Sequence, residues 1–208
     1  MPSGPLTTTH FSLLCLLSLR PWSAYELVGQ MRRSLDLIWP RAQSNLYADL
    51  KRLAREGLAT SETVRIGKRS RTIYTISLAG RAILQPWLAE PGAPPVFECE
   101  ALVKLAYVAA GGKDAALAQI AVLAQHADER LALGRRVAHQ YIEDEALPSR
   151  LHVNAVMWRF LWEQHQAIAR WAAWADNEIR QWPDTGDAPA LRRRGRRVLR
   201  QSLAELDT

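Results

Sequence analysis

The 208-residue sequence predicts a mainly α-helical protein with one small β-hairpin, and three patterns support this fold class. Leu46, Leu50 and Leu53 recur at the spacing of an amphipathic helix. Two segments rich in Thr, Val, Ile and Tyr, at 60–65 and 71–76, flank a Gly-Lys-Arg-Ser sequence and predict the hairpin. The C-terminal half divides into one short and two longer stretches at Gly-Gly and Pro, which predicts three helices.

Three helices are expected before the hairpin, and their boundaries have local causes. The predicted elements are, in order, an apolar helix to about residue 18, a turn at 20–22, a helix from 23 to about 35, a linker at 36–42 and a helix from 44 to 57. Ser23 and Glu26 can satisfy first-turn amides as a capping box. Pro40 disfavours helix at the residue before it, and Gly57 can end the third helix because it lacks a Cβ.

The third helix carries positive charge on the side away from its leucine stripe. At about 100° per residue, Ser44, Tyr47 and Lys51 share this side with Arg55. A major groove about 12 Å wide admits an α-helix, and a neighbouring basic loop can neutralise phosphates. The order of helices and hairpin therefore predicts a winged helix-turn-helix that binds duplex DNA. The candidate DNA contacts are Arg41, Ser44, Asn45, Tyr47, Lys51, Arg52, Arg55, Lys68, Arg69 and Arg71.

These contacts divide into two expected roles. Ser44, Tyr47 and Lys51 on the helix would contact base edges and set sequence preference, whereas the basic hairpin residues would hold the phosphate backbone. A solvated basic helix beside an ordinary hairpin is the alternative interpretation.

Residues 10–88 resemble the PadR family of transcriptional regulators. The resemblance rests on the order of an apolar helix, a SAYEL helix, Trp-Pro, SNLYADLKRLAREGL, a basic hairpin and YTISLAGRAIL. Its most specific parts are Leu46-Tyr47, the Leu50 to Leu53 spacing, Gly57-Leu58, and Tyr74 with Ser77 and Gly80, although the family often has Thr at the position of Ser77. The resemblance implies a homodimer joined by C-terminal helices, repression relieved by a small molecule or stress signal, and operator contacts from Tyr47, Lys51, Arg52 and Lys68. It weakens after Pro91, so it does not imply an effector chemistry.

The charge distribution places the polyanion-binding part near the N-terminus. Residues 1–90 carry 12 basic and 6 acidic side chains, residues 91–190 carry 9 and 13, and residues 191–208 carry 6 and 2. We therefore expect a DNA-binding domain at 1–90, a helical dimerisation domain at 91–190 and a basic tail at 191–208. The Pro- and Gly-rich segment 90–95 marks the first boundary.

The sequence predicts a cytoplasmic protein without a membrane span. No apolar run reaches the roughly 18 residues that a span requires, and the apolar segment 11–19 lacks the basic leader of a secretory signal. Cys15 and Cys99 do not make a disulfide framework.

The last long stretch, 149–182, carries a heptad seam that predicts helix-to-helix packing. The seam residues are Leu151, Trp158, His165, Ala172 and Ile179, with Leu161, Ile168 and Ala175 between them. An antiparallel or crossed dimer arm is expected. Such a dimer would present two DNA-contacting helices about 34 Å apart to an inverted-repeat operator in double-stranded DNA.

Catalytic, metal and cofactor sites are not expected. The chain has no HExxH, P-loop, GxGxxG or GxSxG motif. Four histidines, His126, His139, His152 and His165, lie 13 residues apart, but 13 helical steps leave neighbours on different sides of a helix. Trp158 and Trp162, one turn apart, could form a slot for a small apolar or aromatic effector. Filling of a core or interface is the alternative role for this pair.

The predicted function is a dimeric, sequence-specific transcriptional regulator, acting as a repressor and not as an enzyme. A winged-helix protein-interaction module without specific DNA binding and an apolar-ligand-binding helical protein are the alternatives. The arginine-rich tail could follow phosphates, contact an acidic partner or remain solvated, and one of the last two is expected.

Overall fold

The computed structural model describes residues 4–34, 38–39, 45–66, 69–143 and 150–206, and it divides into two compact units, Met1–Pro95 and Val96–Thr208. The elements of the first unit are α1 (Thr8–Leu19), β1 (Trp22–Ser23), α2 (Ala24–Ser34), α3 (Leu46–Arg55), β2 (Ala59–Ile66), β3 (Arg69–Ile76) and α4 (Leu78–Ala89). The predicted fold class, mainly α with a small hairpin, is confirmed. Within the described ranges, no helix is both long and apolar enough to cross a membrane.

The hairpin belongs to a three-stranded antiparallel sheet with the order β1-β3-β2. β2 and β3 form the predicted hairpin. β1 lies where the sequence predicts the end of a turn and the start of a helix, with Trp22 opposite Tyr74 and Ser23 opposite Ile73. A strand of two residues is too short to show the alternation by which strands are recognised in a sequence.

Leucines of α1 and α3 form the centre of the first core. Leu13 and Leu14 of α1 and Leu50 and Leu53 of α3 expose none of their surface. Residues of α2, the sheet and α4 pack around them. Full burial of one leucine side chain contributes roughly 1.5–3 kcal/mol, so this packing determines which side of α3 faces outward.

Hydrogen bonds and glycine conformation fix the helix ends. The Ser23 N–H donates to Glu26 Oε2 (3.0 Å) and the Glu26 N–H donates to Ser23 Oγ (3.3 Å), which confirms the capping box. Gly57 ends α3 with φ of 73°, a conformation that costs glycine little. At the start of α4, Ser77 Oγ accepts from the Gly80 N–H (3.0 Å) and donates to the Gly57 carbonyl (2.6 Å).

The second unit is helical. Its described elements are α5 (Glu100–Ala106), a 3₁₀ turn (Val108–Ala110), α6 (Gly112–Glu143), α7 (Leu151–Arg180) and α8 (Pro189–Leu206). α6 and α7 pack antiparallel. Near one end, Trp158 Nε1 donates to the Gly134 carbonyl (2.9 Å), and at the other end Lys113 Nζ donates to the Arg180 carbonyl (2.6 Å).

The heptad seam of α7 is used within the chain over its C-terminal half. Ala172 and Ile179 are buried with Ala116 and Ile120 of α6. Over this half, the seam therefore makes helix-to-helix contacts with α6 of the same chain.

The basic tail forms a helix, α8, that is bonded to α7. Arg194 Nε donates to Glu178 Oε1 of α7 (2.6 Å), and Arg192 pairs with Asp187 just before α8. This differs from the freely solvated tail that was one expectation.

Gly80 lies where α4 passes close to the turn after α3. A Cβ at Gly80 would lie 2.1 Å from the Leu58 carbonyl oxygen and 2.9 Å from Ile76 Cγ1. We expect Gly80→Ala to lower the free energy of unfolding of the first unit by about 1–3 kcal/mol, because the backbone must shift. Urea denaturation followed by tryptophan fluorescence measures this change.

Gly195→Ala on α8 is the matched control, because a Cβ there meets no atom within 4 Å. This variant should be neutral, or more stable by up to about 1 kcal/mol through helix propensity. Equal stability of the Gly80→Ala and wild-type proteins would contradict the close contact at Leu58.

Candidate nucleic-acid interface

The side of α3 opposite its leucine stripe is exposed. Tyr47 exposes 47% of its surface, and Lys51 and Arg55 are also exposed. Ala48, at the edge of this side, is exposed and small. The helix therefore presents a narrow surface with one phenol and two positive charges.

A groove of about 560 Å³ lies next to this side of α3. Its walls are formed by Ser23, Ala24, Tyr25, Tyr47, Ser70, Arg71 and Thr72. Tyr25, in the first turn of α2, is 82% exposed. It was not among the predicted contacts, because a single exposed aromatic side chain has no periodic signal. The groove brings hydroxyl groups and a guanidinium to one concave surface, and these are donors to phosphate oxygens.

Some predicted contacts fall outside the part that the structure describes. Arg41, Ser44 and Lys68 lie outside the described residues, as does the side chain of Arg69. Asn45 is exposed directly before α3, and Arg71 is exposed on β3. The reading surface, as we use the term, consists of Tyr25, Tyr47, Lys51, Arg55 and Arg71.

Arg52 turns away from the reading surface. Its Nε donates to Glu56 Oε1 (2.8 Å), and its Nη2 donates to the Gly4 carbonyl. Only 17% of the Arg52 side chain is exposed. These contacts favour a structural role for Arg52, in contrast to the DNA contact that the family resemblance implies.

A buried histidine ties α3 to α1 beside Arg52. His10 exposes 4% of its surface, and its Nδ1 accepts from the Thr7 N–H (3.1 Å). Its Nε2 lies 3.3 Å from Arg52 Nη1 and 3.5 Å from Asp49 Oδ1. Burial lowers the pKa of His10, and the nearby Asp49 carboxylate opposes that shift. His10 and Asp49 thus help to hold α3 in the orientation that exposes the reading surface.

Trp158 and Trp162 stack on each other. Their ring centroids are 5.1 Å apart with an interplanar angle of 19°, and Trp158 also donates to the carbonyl of Gly134. A ligand role for this pair stays a prediction. A separate pocket of about 460 Å³ in the same unit has Trp174 and Trp182 among its walls.

Two of the four regularly spaced histidines meet across the helical hairpin. The ring centroids of His126 and His165 are 6.0 Å apart. The reversal of direction between α6 and α7 brings them together, which the geometry of a single helix does not reveal. Across the described segments, no group of three or more His, Cys, Asp or Glu side chains could hold a metal ion.

Comparison of sequences relates the first unit to known regulators. Residues 13–86 match the model of the transcriptional regulator PadR-like family. A protein of Mycobacterium tuberculosis named as a probable transcriptional regulator is 33% identical over 73 residues, which cover 35% of this chain and 39% of that protein. The negative transcriptional regulator PadR of Bacillus subtilis is 30% identical over 79 residues, 38% of this chain and 43% of that protein. The chain thus spans about two fifths of the length of these curated relatives.

Solved structures share the fold over a longer part of the chain. The crystal structure of Bacillus subtilis PadR in complex with operator DNA has a TM-score of 0.74 and 19% identity, and covers 85% of this chain and 99% of that chain. The structure of the same protein in complex with p-coumaric acid has a TM-score of 0.69 and 18% identity, and covers 84% and 100%. At these identities, the likeness shows a common fold.

Proposed function

We propose that the chain is a dimeric, sequence-specific DNA-binding repressor of the cytoplasm and a member of the PadR-like family of transcriptional regulators, whose model matches residues 13–86. The observation that carries this proposal is the reading surface, an exposed aromatic and cationic side of α3 beside a polar groove. The two curated relatives are named as transcriptional regulators, which supports a regulatory rather than an enzymatic function.

The proposed mechanism follows from the positions of these side chains. Tyr47 and Lys51 project from the side of α3 that a major groove can admit, so they contact base edges. Tyr25 and Arg71 line the adjacent groove and hold the phosphate backbone. Arg55, one turn beyond Lys51, adds charge at the end of the helix.

Selection of duplexes from a random pool with the purified chain tests this function. The recovered sequences should contain an inverted repeat with half-sites about 10 bp apart, because a dimer places two reading helices on successive turns. Absence of enrichment at moderate salt would contradict the proposal and favour a protein-interaction module.

Substitutions on the recovered duplex separate base contacts from phosphate contacts. Lys51→Ala should cost about 1–3 kcal/mol of binding and relax the preference at one base position, whereas Arg71→Ala should weaken binding to all duplexes alike and flatten the salt dependence by about one unit. Lys104→Ala removes the same charge from α5, where Lys104 pairs with Glu100, and should change neither quantity. An equal loss of affinity for all duplex sequences in the Lys51→Ala protein would contradict a base-contacting role for Lys51.

The proposed dimer is joined by an apolar stripe on α7. Val153, Val156 and Phe160 expose 38%, 73% and 60% of their surfaces. At about 100° per residue they lie within an arc of about 60°, well away from the buried Ala172 and Ile179. An exposed apolar patch of this kind is typical of a protein interface. Pairing of two such stripes would set the distance between the two reading surfaces.

A charge in this stripe should break the dimer. Val156→Glu places a carboxylate where two apolar surfaces meet, so we expect a halved mass by sedimentation and at least about a tenfold loss of affinity for the inverted repeat. Ala173→Glu is the control, because Ala173 is exposed on another side of α7. A Val156→Glu protein that remained dimeric would exclude this stripe as the interface.

The proposed release signal is a small apolar or aromatic molecule bound between α7 and α8. The pocket of about 460 Å³ falls in the size range of ligand sites, about 300–1,000 Å³. Trp174 and Trp182 give it aromatic walls, and the ion pair of Glu178 with Arg194 lies at its edge. The stacked rings of Trp158 and Trp162 already contact each other, so the open pocket is the better site. A complex of Bacillus subtilis PadR with p-coumaric acid supports an aromatic effector.

A larger side chain substituted at Gly195 should fill the pocket while α8 remains helical. Gly195 lies in the pocket wall with open space around the position of a Cβ. Gly195→Leu should weaken binding of the neutral fluorescent probe N-phenyl-1-naphthylamine at least about tenfold, while Gly195→Ala should retain it. Equal probe binding by the leucine variant and the wild type would place the ligand elsewhere.

A further inference from the structure

The arginines of α8 fall into two groups that differ in their contacts. Arg192 and Arg194 are engaged with Asp187 and Glu178. The remaining four are exposed and make no ion pair within the described part of the chain: Arg193, Arg196, Arg197 and Arg200. We call these four residues the arginine face.

The arginine face lies opposite the side by which α8 contacts the rest of its unit. At about 100° per residue, its four members fall within an arc of about 100°. Leu191, Gly195 and Val198 point the other way and line the pocket that Trp182 also lines. The Arg194–Glu178 pair, with side chains 25% and 13% exposed, fixes the helix in this orientation. The arginine face is therefore held toward solvent, along about 10 Å of helix.

We infer that the arginine face binds the phosphate backbone of duplex DNA as a second, sequence-independent contact. Duplex DNA carries one negative charge per about 1.7 Å of its axis, so 10 Å of duplex offers about six phosphates to the four guanidinium groups. All basic residues of α8 are arginines, whose planar fork can donate two parallel hydrogen bonds to one phosphate.

This inference rests on the proposed function, since α8 is covalently linked to the domain that holds the duplex, and a linked second contact adds to the affinity when both are engaged at once. Such a contact would add affinity and salt dependence to every duplex that the protein binds. It would leave the preferred sequence unchanged, because phosphates carry no base identity.

The test compares two double variants of the full-length chain that remove the same charge. Arg193→Gln/Arg197→Gln neutralises half of the arginine face. Arg159→Gln/Arg180→Gln neutralises two exposed arginines of α7 that already pair with Glu163 and Asp176. Glutamine is nearly as good a helix former as arginine, and circular dichroism checks that helix content is retained. The slope of log affinity against log salt is then measured on the selected duplex and on one of unrelated sequence.

For the Arg193→Gln/Arg197→Gln protein we expect the slope to fall by up to about 1.8 units on both duplexes, at about 0.9 per lost phosphate contact. The α7 control should keep the wild-type slope, and both variants should select the same inverted repeat. If the wild type binds its selected duplex but the arginine-face variant keeps the full slope, only the present inference fails. If the wild type selects no duplex, both the present inference and the proposed repressor function fail. Binding of the wild-type protein to anionic phospholipid vesicles, together with an unchanged salt slope of the Arg193→Gln/Arg197→Gln protein on DNA, would assign the arginine face to a membrane surface and overturn the inference.

Discussion

Burial of Leu46, Leu50 and Leu53 is the constraint on which the rest of the first unit depends. Because an α-helix turns about 100° per residue, three inward positions determine the direction of every other side chain on α3. Tyr47 and Lys51 are outward for that reason, and no attraction between charges is required to place them. The DNA affinity that we propose therefore depends on apolar packing that lies entirely beneath the interface.

Contacts at both ends of α3 keep this orientation. Near its start, Asp49 faces the buried His10 of α1, and at its end Gly57 allows the chain to reverse into β2. α4 then closes on that turn, through Ser77 and through the approach of Gly80 to the Leu58 carbonyl. Burial lowers the pKa of His10, so this contact is made by a neutral imidazole near pH 7. Protonation below the unfolded pKa near 6.5 would oppose folding, since the unfolded state then binds more protons.

Local sequence patterns predicted the elements that local contacts determine. The leucine stripe of α3, the capping box at Ser23 and the left-handed Gly57 were all predictable, because each depends on residues within a few positions of one another. Three features were not predictable, because each depends on a partner distant in sequence. They are strand β1, the contact of His126 with His165 and the inward turn of Arg52. The heptad seam was recognised as a packing surface, but sequence periodicity does not say whether its partner is α6 or another chain. Tyr25 was assigned to the candidate site only because it lines the same groove as Tyr47 and Arg71.

The central claim is that the exposed side of α3 enters the major groove of DNA. A crystal structure of the 208-residue chain with its selected duplex tests this claim. We expect two copies of α3 in successive major grooves, with Tyr47 and Lys51 within hydrogen-bonding distance of base edges and Arg71 beside a phosphate. A complex in which Tyr47 and Lys51 of both copies face solvent or a partner protomer, with DNA bound elsewhere, would contradict it.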